Sequence, residues 1–218
     1  FEKEANKKEG EFWNTKRPVP LTSEESKDYV RRDSIETLRA SKVYLDSVDR
    51  KNNKFKILNL LTGYTFEDSY NIKSLSISGP LEEIHFNTVQ GYNVSLDANF
   101  TKKYNDFKKF ISVKGGINYS FETQRLRGTL GGQYRFNAIN NATVWGGFGV
   151  KTQQFNRSNP ISNSHNDISS LFFESNYIKI YDNQFAKIGY IMEAFNGLKF
   201  STQLAYENRK ELFNSTNY

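Results

Sequence analysis

Between Tyr92 and Glu207 the chain repeats one pattern six times: about ten residues that alternate strictly between apolar and polar, followed by a polar turn. Successive side chains of a β-strand point to opposite sides of a sheet, so each repeat predicts a strand with one apolar and one polar face. Asn196-Gly197 joins the last two repeats and indicates a tight hairpin, because both residues tolerate positive φ. The pattern predicts an antiparallel sheet with short turns.

Large aliphatic and aromatic residues form the apolar side of the predicted strands. In a membrane barrel this side would face lipid, and the alternating polar side would face a water-filled interior. The predicted lipid-facing residues are Tyr92, Val94, Leu96, Phe100, Ile111, Val113, Ile117, Tyr119, Leu130, Tyr134, Val144, Phe148, Ile188, Tyr190, Phe200 and Leu204. In the fourth strand Trp145 is a misfit, because it falls on the polar side.

Two fold classes explain this alternation: a membrane β-barrel, and a soluble antiparallel sandwich in which one face of each sheet packs on the other sheet. Strand length favours the barrel, because roughly nine to eleven residues cross a bilayer at a barrel's tilt, whereas strands in globular sheets usually have five or six. Aromatic residues also cluster at the strand ends, where the interfacial girdles of a barrel lie. We therefore expect an all-β fold, an antiparallel transmembrane β-barrel.

Residues 1–58 have a different pattern, a dense mixture of both charges with few apolar positions. Thr22 and Glu25 have the spacing of a capping box, which predicts the start of a helix, and the helical spacing that follows is interrupted near Ser41. The segment is too short and too charged to form a core alone. It is predicted to be a short helical and extended periplasmic linker that precedes the barrel.

The remainder of the chain is predicted to consist of two parts. Residues 59–91 form an initial hairpin or the first strands, with candidate strands at 58–66 and 72–78. Residues 92–218 form the antiparallel membrane strands of an incomplete barrel. Whether the first part belongs to the wall or to a plug stays open, because its pattern fits both.

The longest interruption between the predicted strands is segment 156–182. Its apolar residues between 168 and 181 predict a short amphipathic helix. Counting strands from Tyr92 puts this segment on the same side of the membrane as residues 1–58. Long connections in barrels are usually extracellular, so this placement departs from the usual rule.

Composition limits the classes of function. The chain has 218 residues and a mean hydropathy of −0.70, and it lacks the run of about 18 apolar residues that a helical membrane protein needs. It contains no cysteine, which excludes disulfides and thiolate chemistry. The net charge of +6 is not concentrated in a basic tail, so we expect no nucleic-acid partner.

One local group of lysines surrounds the predicted first turn, Tyr104-Asn105-Asp106. Its members are Lys102, Lys103, Lys108 and Lys109. A functional interpretation is contact with lipid phosphates at the membrane surface, through charge attraction. The simpler interpretation, a solvated loop tip, stays open beside it.

The first residues carry no signal peptide, because the chain opens at Phe1 without a basic segment or an apolar segment. An outer-membrane protein needs such a signal. Six strands are also fewer than the eight of the smallest closed barrels, and open sheet edges cannot lie in hydrocarbon. We therefore expect these residues to be an interior piece of a longer protein, with a signal upstream and further strands downstream.

The sequence offers no constellation typical of catalysis. His85 and His165 each fall in a predicted loop without a second candidate ligand nearby, whereas a metal site needs three or four. Segment 146–152 superficially resembles a phosphate-binding loop, but it lies inside an alternating strand rather than at a strand-to-helix turn. We expect no catalytic residue, no cofactor and no metal site, and thus no enzyme.

Several segments resemble a family of outer-membrane β-barrel proteins from Bacteroidota. They are 12–22 (FWNTKRPVPLT), 33–35, 45–47, 61–66 (LTGYTF), 86–92 (FNTVQGY) and 155–161. That family is known mainly as a domain of unknown function, and its proteins usually carry an N-terminal carboxypeptidase-regulatory-like domain. The resemblance implies a signal peptide and a small non-catalytic periplasmic sandwich upstream, followed by a large barrel of which this chain holds the beginning.

Together these features predict a non-enzymatic protein of the Gram-negative outer membrane, with a transport or envelope-assembly role. The expected partners are outer-membrane lipid, including lipopolysaccharide, and other outer-membrane or periplasmic proteins. Two alternatives stay open: a barrel that serves as a surface-binding or adhesion scaffold, and a soluble secreted β-sandwich that acts as a binding module. Short predicted turns count modestly against the adhesion scaffold.

Overall fold

The computed structural model of the chain describes residues 10–16, 18–104 and 109–214. The chain divides into two compact units, Phe1–Val48 and Asp49–Tyr218. The first unit is helical, and the second is dominated by a β-sheet. None of the helices in the described ranges is both long enough and apolar enough to cross a membrane.

The first unit contains one helix that the sequence did not predict, α1 (Gly10–Lys16), and then the predicted helical segment, divided in two. The two parts are α2 (Ser23–Ala40) and α3 (Lys42–Asn52), the last of which continues into the second unit. The capping box is confirmed: Glu25 N donates to Thr22 Oγ1 at 3.2 Å, and Thr22 N donates to Glu25 Oε2 at 2.9 Å. Ser41 has extended backbone angles and separates α2 from α3, as the interruption in helical spacing predicts.

The second unit is built around a single antiparallel sheet. Its elements are α4 (Asn59–Thr62), β1 (Gly63–Asp68), β2 (Lys73–Ser78), β3 (Ile84–Asn87), β4 (Gly91–Lys103), β5 (Phe110–Ser120), β6 (Arg125–Arg135), β7 (Thr143–Gln154), α5 (Asn163–Phe173), β8 (Ile180–Phe195) and β9 (Leu198–Lys210). The strand order is β1-β2-β4-β5-β6-β7-β8-β9, and β3 pairs with β4. Within the described residues β1 and β9 are the edges and do not close the sheet.

Strands β4 to β9 are the six strands that the alternation predicts. They contain between 11 and 16 residues and pair consecutively in antiparallel register. Gly197 has a φ of +82° in the tight turn between β8 and β9, which confirms the predicted hairpin. The predicted turn Tyr104-Asn105-Asp106 lies largely outside the described residues. The antiparallel, mainly β character of the prediction is confirmed.

The predicted hairpin before the long strands is also present, as β1 and β2, but its first strand starts later than predicted. Residues 59–62 form the helical turn α4 instead of the beginning of a strand at residue 58. The change occurs at Gly63, which has a φ of +87°, and a Cβ there would overlap the Ile77 carbonyl oxygen. Only glycine fits this transition between helix and strand.

The predicted helix at 168–181 is wrong in its bounds. The observed helix α5 starts earlier and ends at Phe173, and β8 begins at Ile180. The buried Asn166 explains the shift, because its side-chain oxygen accepts hydrogen bonds from the backbone N–H groups of Tyr177 and Ile178. These bonds hold the chain after α5 in an extended form, so its apolar residues lead into a strand.

The register of strand pairing shows which residues share a face, because directly opposite residues point to the same side. Leu96 lies opposite Ile117, and Leu130 lies opposite Phe148. Followed from strand to strand, the register puts all of the predicted lipid-facing residues on one face. We call it the apolar face. Most of these side chains are exposed, and Leu204 retains 75% of its accessible surface.

Segment 155–179 lies at the end of the sheet where β4 begins, as the strand count from Tyr92 predicts. A small core of Val89, Ile178 and Ile180 sits at this end. At the opposite end, Asp49 accepts hydrogen bonds from the backbone and hydroxyl of Ser69, in the turn between β1 and β2. Asp49 and Asn53 therefore contact the β1–β2 hairpin, and the periplasmic location of segment 1–58 stays a prediction.

Candidate functional site

The polar face of the sheet, opposite the apolar face, is concave. One cavity of about 620 Å³ is lined by residues from β3 to β8, including His85, Lys114 and Lys151. A second cavity of about 640 Å³ is lined both by Ser76 of β2 and by Lys187 of β8. Four strands separate β2 from β8 in the sheet. The sheet must therefore curl around its polar face for both strands to line one space.

A buried ion-pair network ties β6 to β8 at the end of the sheet near α5. The guanidinium of Arg127 is almost completely buried and donates to Asp182 Oδ1 from Nε at 2.6 Å. A further nitrogen of Arg127 donates to Ser120 Oγ at 2.6 Å, and Arg125 donates to Asp182 Oδ2 at 3.1 Å. The buried carboxylate is thus paired with two cations, which offsets the cost of its desolvation.

Gly149 explains why Asp182 can reach this network. Strict alternation would put Thr152 and Asp182, which lie opposite each other, on the apolar side. However, the pairing between β6 and β7 ends at Thr129 and Gly149, and Gly149 has a φ of +142°, which side-chain-bearing residues rarely adopt. Beyond this irregular residue the two strands separate, and polar side chains of β7 and β8 occupy the space between them.

Gln90 ties the loop after β3 to the same network. Its Nε2 group lies within hydrogen-bond distance of Asn118 Oδ1, Ser120 Oγ and Thr152 Oγ1, at 3.1, 2.8 and 3.1 Å. Its side-chain oxygen accepts from Asn87 Nδ2 at 3.0 Å. One buried amide therefore joins β3, β5 and β7 at this end of the polar face.

His85 is in β3 and His165 is in α5, so their predicted placement in loops is wrong. His85 also has a partner that the sequence did not indicate: its Nδ1 lies 2.8 Å from Asp167 Oδ2. The other carboxylate oxygen of Asp167 accepts from the backbone N–H of Phe86 at 2.9 Å. This pair fastens α5 to β3. No group of three or more potential metal ligands occurs among the described residues.

Arg157 is one of the residues that line the 620 Å³ cavity. It forms a bidentate ion pair with Glu207 of β9, at 2.9 and 2.7 Å, and its Nε donates to the hydroxyl of Tyr181 at 2.8 Å. The hydrogen bonds to Glu207 and then those to Tyr181 raise the pKa of Arg157 above its ordinary value. The loop after β7 is therefore held to the polar face near the sheet edge.

A row of lysines and aromatic rings follows β7 and β8 on the polar face. Lys187 Nζ lies 5.6 Å from the ring centres of both Trp145 and Phe185, and Lys151 Nζ lies 5.3 Å from the ring centre of Phe185. We call Trp145, Lys187, Phe185 and Lys151 the cation–aromatic ladder. Gly189 lies opposite Trp145, and a Cβ there would overlap the indole, so the ring lies flat on the strand. This contact accounts for the misfit at position 145.

Comparison with known proteins gives one match, to a protein family. The profile described as the C-terminal domain of a family of unknown function, DUF5686, matches residues 58–218. The chain belongs to the DUF5686 family. No curated protein and no solved structure matches it. The matched range covers α4, α5 and all of the strands, so the concave sheet with its two faces lies within the DUF5686 C-terminal domain.

Two members of the predicted lysine group of this DUF5686 domain, Lys102 and Lys103, lie on opposite sides of β4. Lys102 lies opposite Ile111 on the apolar side, with its ammonium 5.6 Å from the ring centre of Tyr104, whereas Lys103 lies opposite Phe110 on the polar side. Lys109 immediately precedes β5, and Lys108 is outside the described residues. Contact of these lysines with lipid phosphates stays a prediction.

The polar networks of the DUF5686 domain could not be read from the sequence. Arg127 and Asp182 are 55 residues apart, and His85 and Asp167 are 82 apart. The sequence shows charged residues near the ends of predicted strands, but it does not show which residues they pair with. The sequence did single out Trp145, because this aromatic residue falls on the polar side of its strand.

Proposed function

We propose that the chain forms part of the wall of a β-barrel in the Gram-negative outer membrane, with a non-enzymatic role in transport or envelope assembly. The apolar face would contact lipid, and the concave polar face would line the interior. The resemblance described above supports a Bacteroidota envelope and an upstream carboxypeptidase-regulatory-like domain. The proposed partners are outer-membrane lipid, including lipopolysaccharide, and neighbouring envelope proteins.

The observation that carries this proposal is the combination of an exposed apolar face with a concave polar face. A water-soluble protein rarely leaves a continuous surface of large aliphatic and aromatic side chains exposed, because burial of apolar area drives folding. Leu130 and Phe148, opposite each other near the middle of β6 and β7, retain 47% and 59% of their accessible surface. Lipid would cover them without any further protein layer.

The sandwich alternative is less well supported by this geometry. A sandwich buries its apolar face against a second sheet. All described strands belong to one sheet, so among these residues nothing plays the part of that second sheet. The adhesion alternative gains no support from the connections 69–72, 136–142 and 196–197, at the end of the sheet away from α5, because none of them is a long loop.

The open edges fit a barrel that further strands of the same protein complete. Backbone groups at a sheet edge cannot remain unpaired in hydrocarbon. In the described structure β9 exposes one side of its whole length. β1 is covered in part: the side-chain amide of Asn53 binds the backbone N–H and C=O of Glu67, and that of Asn59 donates to the C=O of Gly63. Additional strands between β9 and β1 would satisfy these groups.

Fractionation of cells that express the full-length protein tests the membrane location directly. We expect the protein in the outer-membrane fraction, and we expect it to migrate differently on gels with and without boiling, because closed barrels resist detergent unfolding until heated. A β-barrel protein of known outer-membrane location serves as the positive control. Recovery of the protein in the soluble fraction without detergent would overturn the proposal and favour the sandwich.

A further inference from the structure

We propose that the cation–aromatic ladder is a binding track for an anionic oligosaccharide. This inference rests on the proposed function, because it assigns the polar face to the interior of the barrel and names what that interior binds. Trp145 and Lys187 line the 640 Å³ cavity, and Lys151 and Phe185 line the 620 Å³ cavity. The ladder therefore joins the two cavities into one path along the wall.

The positive charge of the ladder favours an anionic ligand. Neither Lys151 nor Lys187 forms a direct ion pair among the described residues, and the carboxylate of Glu207 acts on Lys151 only at longer range. Both ammonium groups lie within 5.6 Å of the centre of the same ring, Phe185. Other cations of the polar face are neutralised, such as Lys114 by Asp97 and Arg127 by Asp182. Two like charges held close together in a concave site concentrate positive potential and attract a negatively charged ligand.

The space beside the ladder suits a chain rather than a single ion. Gly131 and Gly147 lie opposite each other on the polar face and leave a strip of backbone without side chains next to Trp145 and Lys187. Each cavity has the volume of a typical small-molecule site. A linear ligand of several units could lie along this strip without displacing side chains.

Carbohydrate with acidic groups matches the alternation of charge and ring. The C–H faces of sugar rings pack on aromatic side chains, and carboxylate or sulfate groups form charge-assisted hydrogen bonds with lysine. Asn99, Ser112 and Gln133 line the 640 Å³ cavity and supply donors and acceptors for sugar hydroxyls. The indole N–H of Trp145 is buried, so a ligand in the track would contact the ring of Trp145 rather than this donor.

Titration calorimetry on the full-length protein in detergent tests this inference. The probe is an oligomer of galacturonic acid, and maltohexaose and oligoglutamate serve as neutral-sugar and acidic-peptide comparisons. In the double variant Lys151→Gln/Lys187→Gln we expect the galacturonate affinity to fall by at least about tenfold, because two charged contacts are lost. The charge-preserving variant Lys151→Arg/Lys187→Arg should bind nearly as the wild type does.

Lys199→Gln is the matched control, because Lys199 is exposed on neighbouring β9 and lines neither cavity. Equal affinity of wild type and the double Gln variant, or absence of galacturonate binding, would overturn the inference. Binding of oligoglutamate in preference to galacturonate would overturn the ligand class. The binding result and the fractionation result can be told apart. If the protein is soluble but binds galacturonate through the ladder, the membrane location is refuted and the binding track stands. If it is a heat-shifting membrane protein that does not bind galacturonate, only the binding track is refuted.

Discussion

Substitution of Arg127 by Leu is expected to lower the free energy of unfolding by about 3–5 kcal/mol, because it leaves the buried carboxylate of Asp182 without its main partner. The remaining cation, Arg125, is 57% exposed and reaches Asp182 through one bond of 3.1 Å. It cannot compensate for the desolvation of the carboxylate. The measurement is a urea titration of the purified full-length protein, followed by the loss of the heat-shifted gel band.

Two controls separate the buried ion pair from a general effect of charge. Arg125→Leu removes a mostly exposed cation and should change stability by less than about 1 kcal/mol. The double variant Arg127→Leu/Asp182→Leu removes both buried charges and should recover most of the stability, because a buried pair contributes little beyond its own desolvation cost. If Arg125→Leu destabilised the protein as much as Arg127→Leu, the assignment of the network would be wrong.

The sheet could be predicted from the sequence wherever both neighbours of a strand have the same regular alternation. β5 and β6 meet this condition: successive residues lie alternately on the apolar and the polar face, so the period of two appears directly in the sequence. The first four residues of β8, Ile180 to Asn183, are all buried, so alternation of burial disappears there and the strand start was missed. β3 has only four residues and is too short to show a period.

The candidate site could be predicted only in its local part. Alternation identified Trp145 as unusual, because this follows from the period of one strand. The partners of Trp145 depend on which strand lies beside which. The contact between Arg127 and Asp182 further requires that β6 and β7 separate beyond Gly149, and a single glycine among several in β7 did not indicate this.

The second large effect is expected from placing a charge on the apolar face. Leu130→Arg should destabilise the protein in a bilayer by about 2–4 kcal/mol if this residue lies near the membrane midplane, because the guanidinium must enter hydrocarbon. Gln133→Arg, in the same strand, should have little effect, since Gln133 is exposed and lies on the concave polar face. Urea titration of both variants, reconstituted in the same lipid, gives the comparison.

A loss of stability in Leu130→Arg does not by itself show whether lipid or protein covers residue 130. Spin labels distinguish these two environments. The chain has no cysteine, and a label on Leu130→Cys or Gln133→Cys is therefore unique within it, once any cysteine elsewhere in the protein is replaced. A lipid-facing label collides often with oxygen and seldom with a water-soluble nickel complex, whereas a label in a wet interior shows the reverse. A label shielded from both reagents at position 130 would mean that protein covers the apolar face, and the barrel would be refuted.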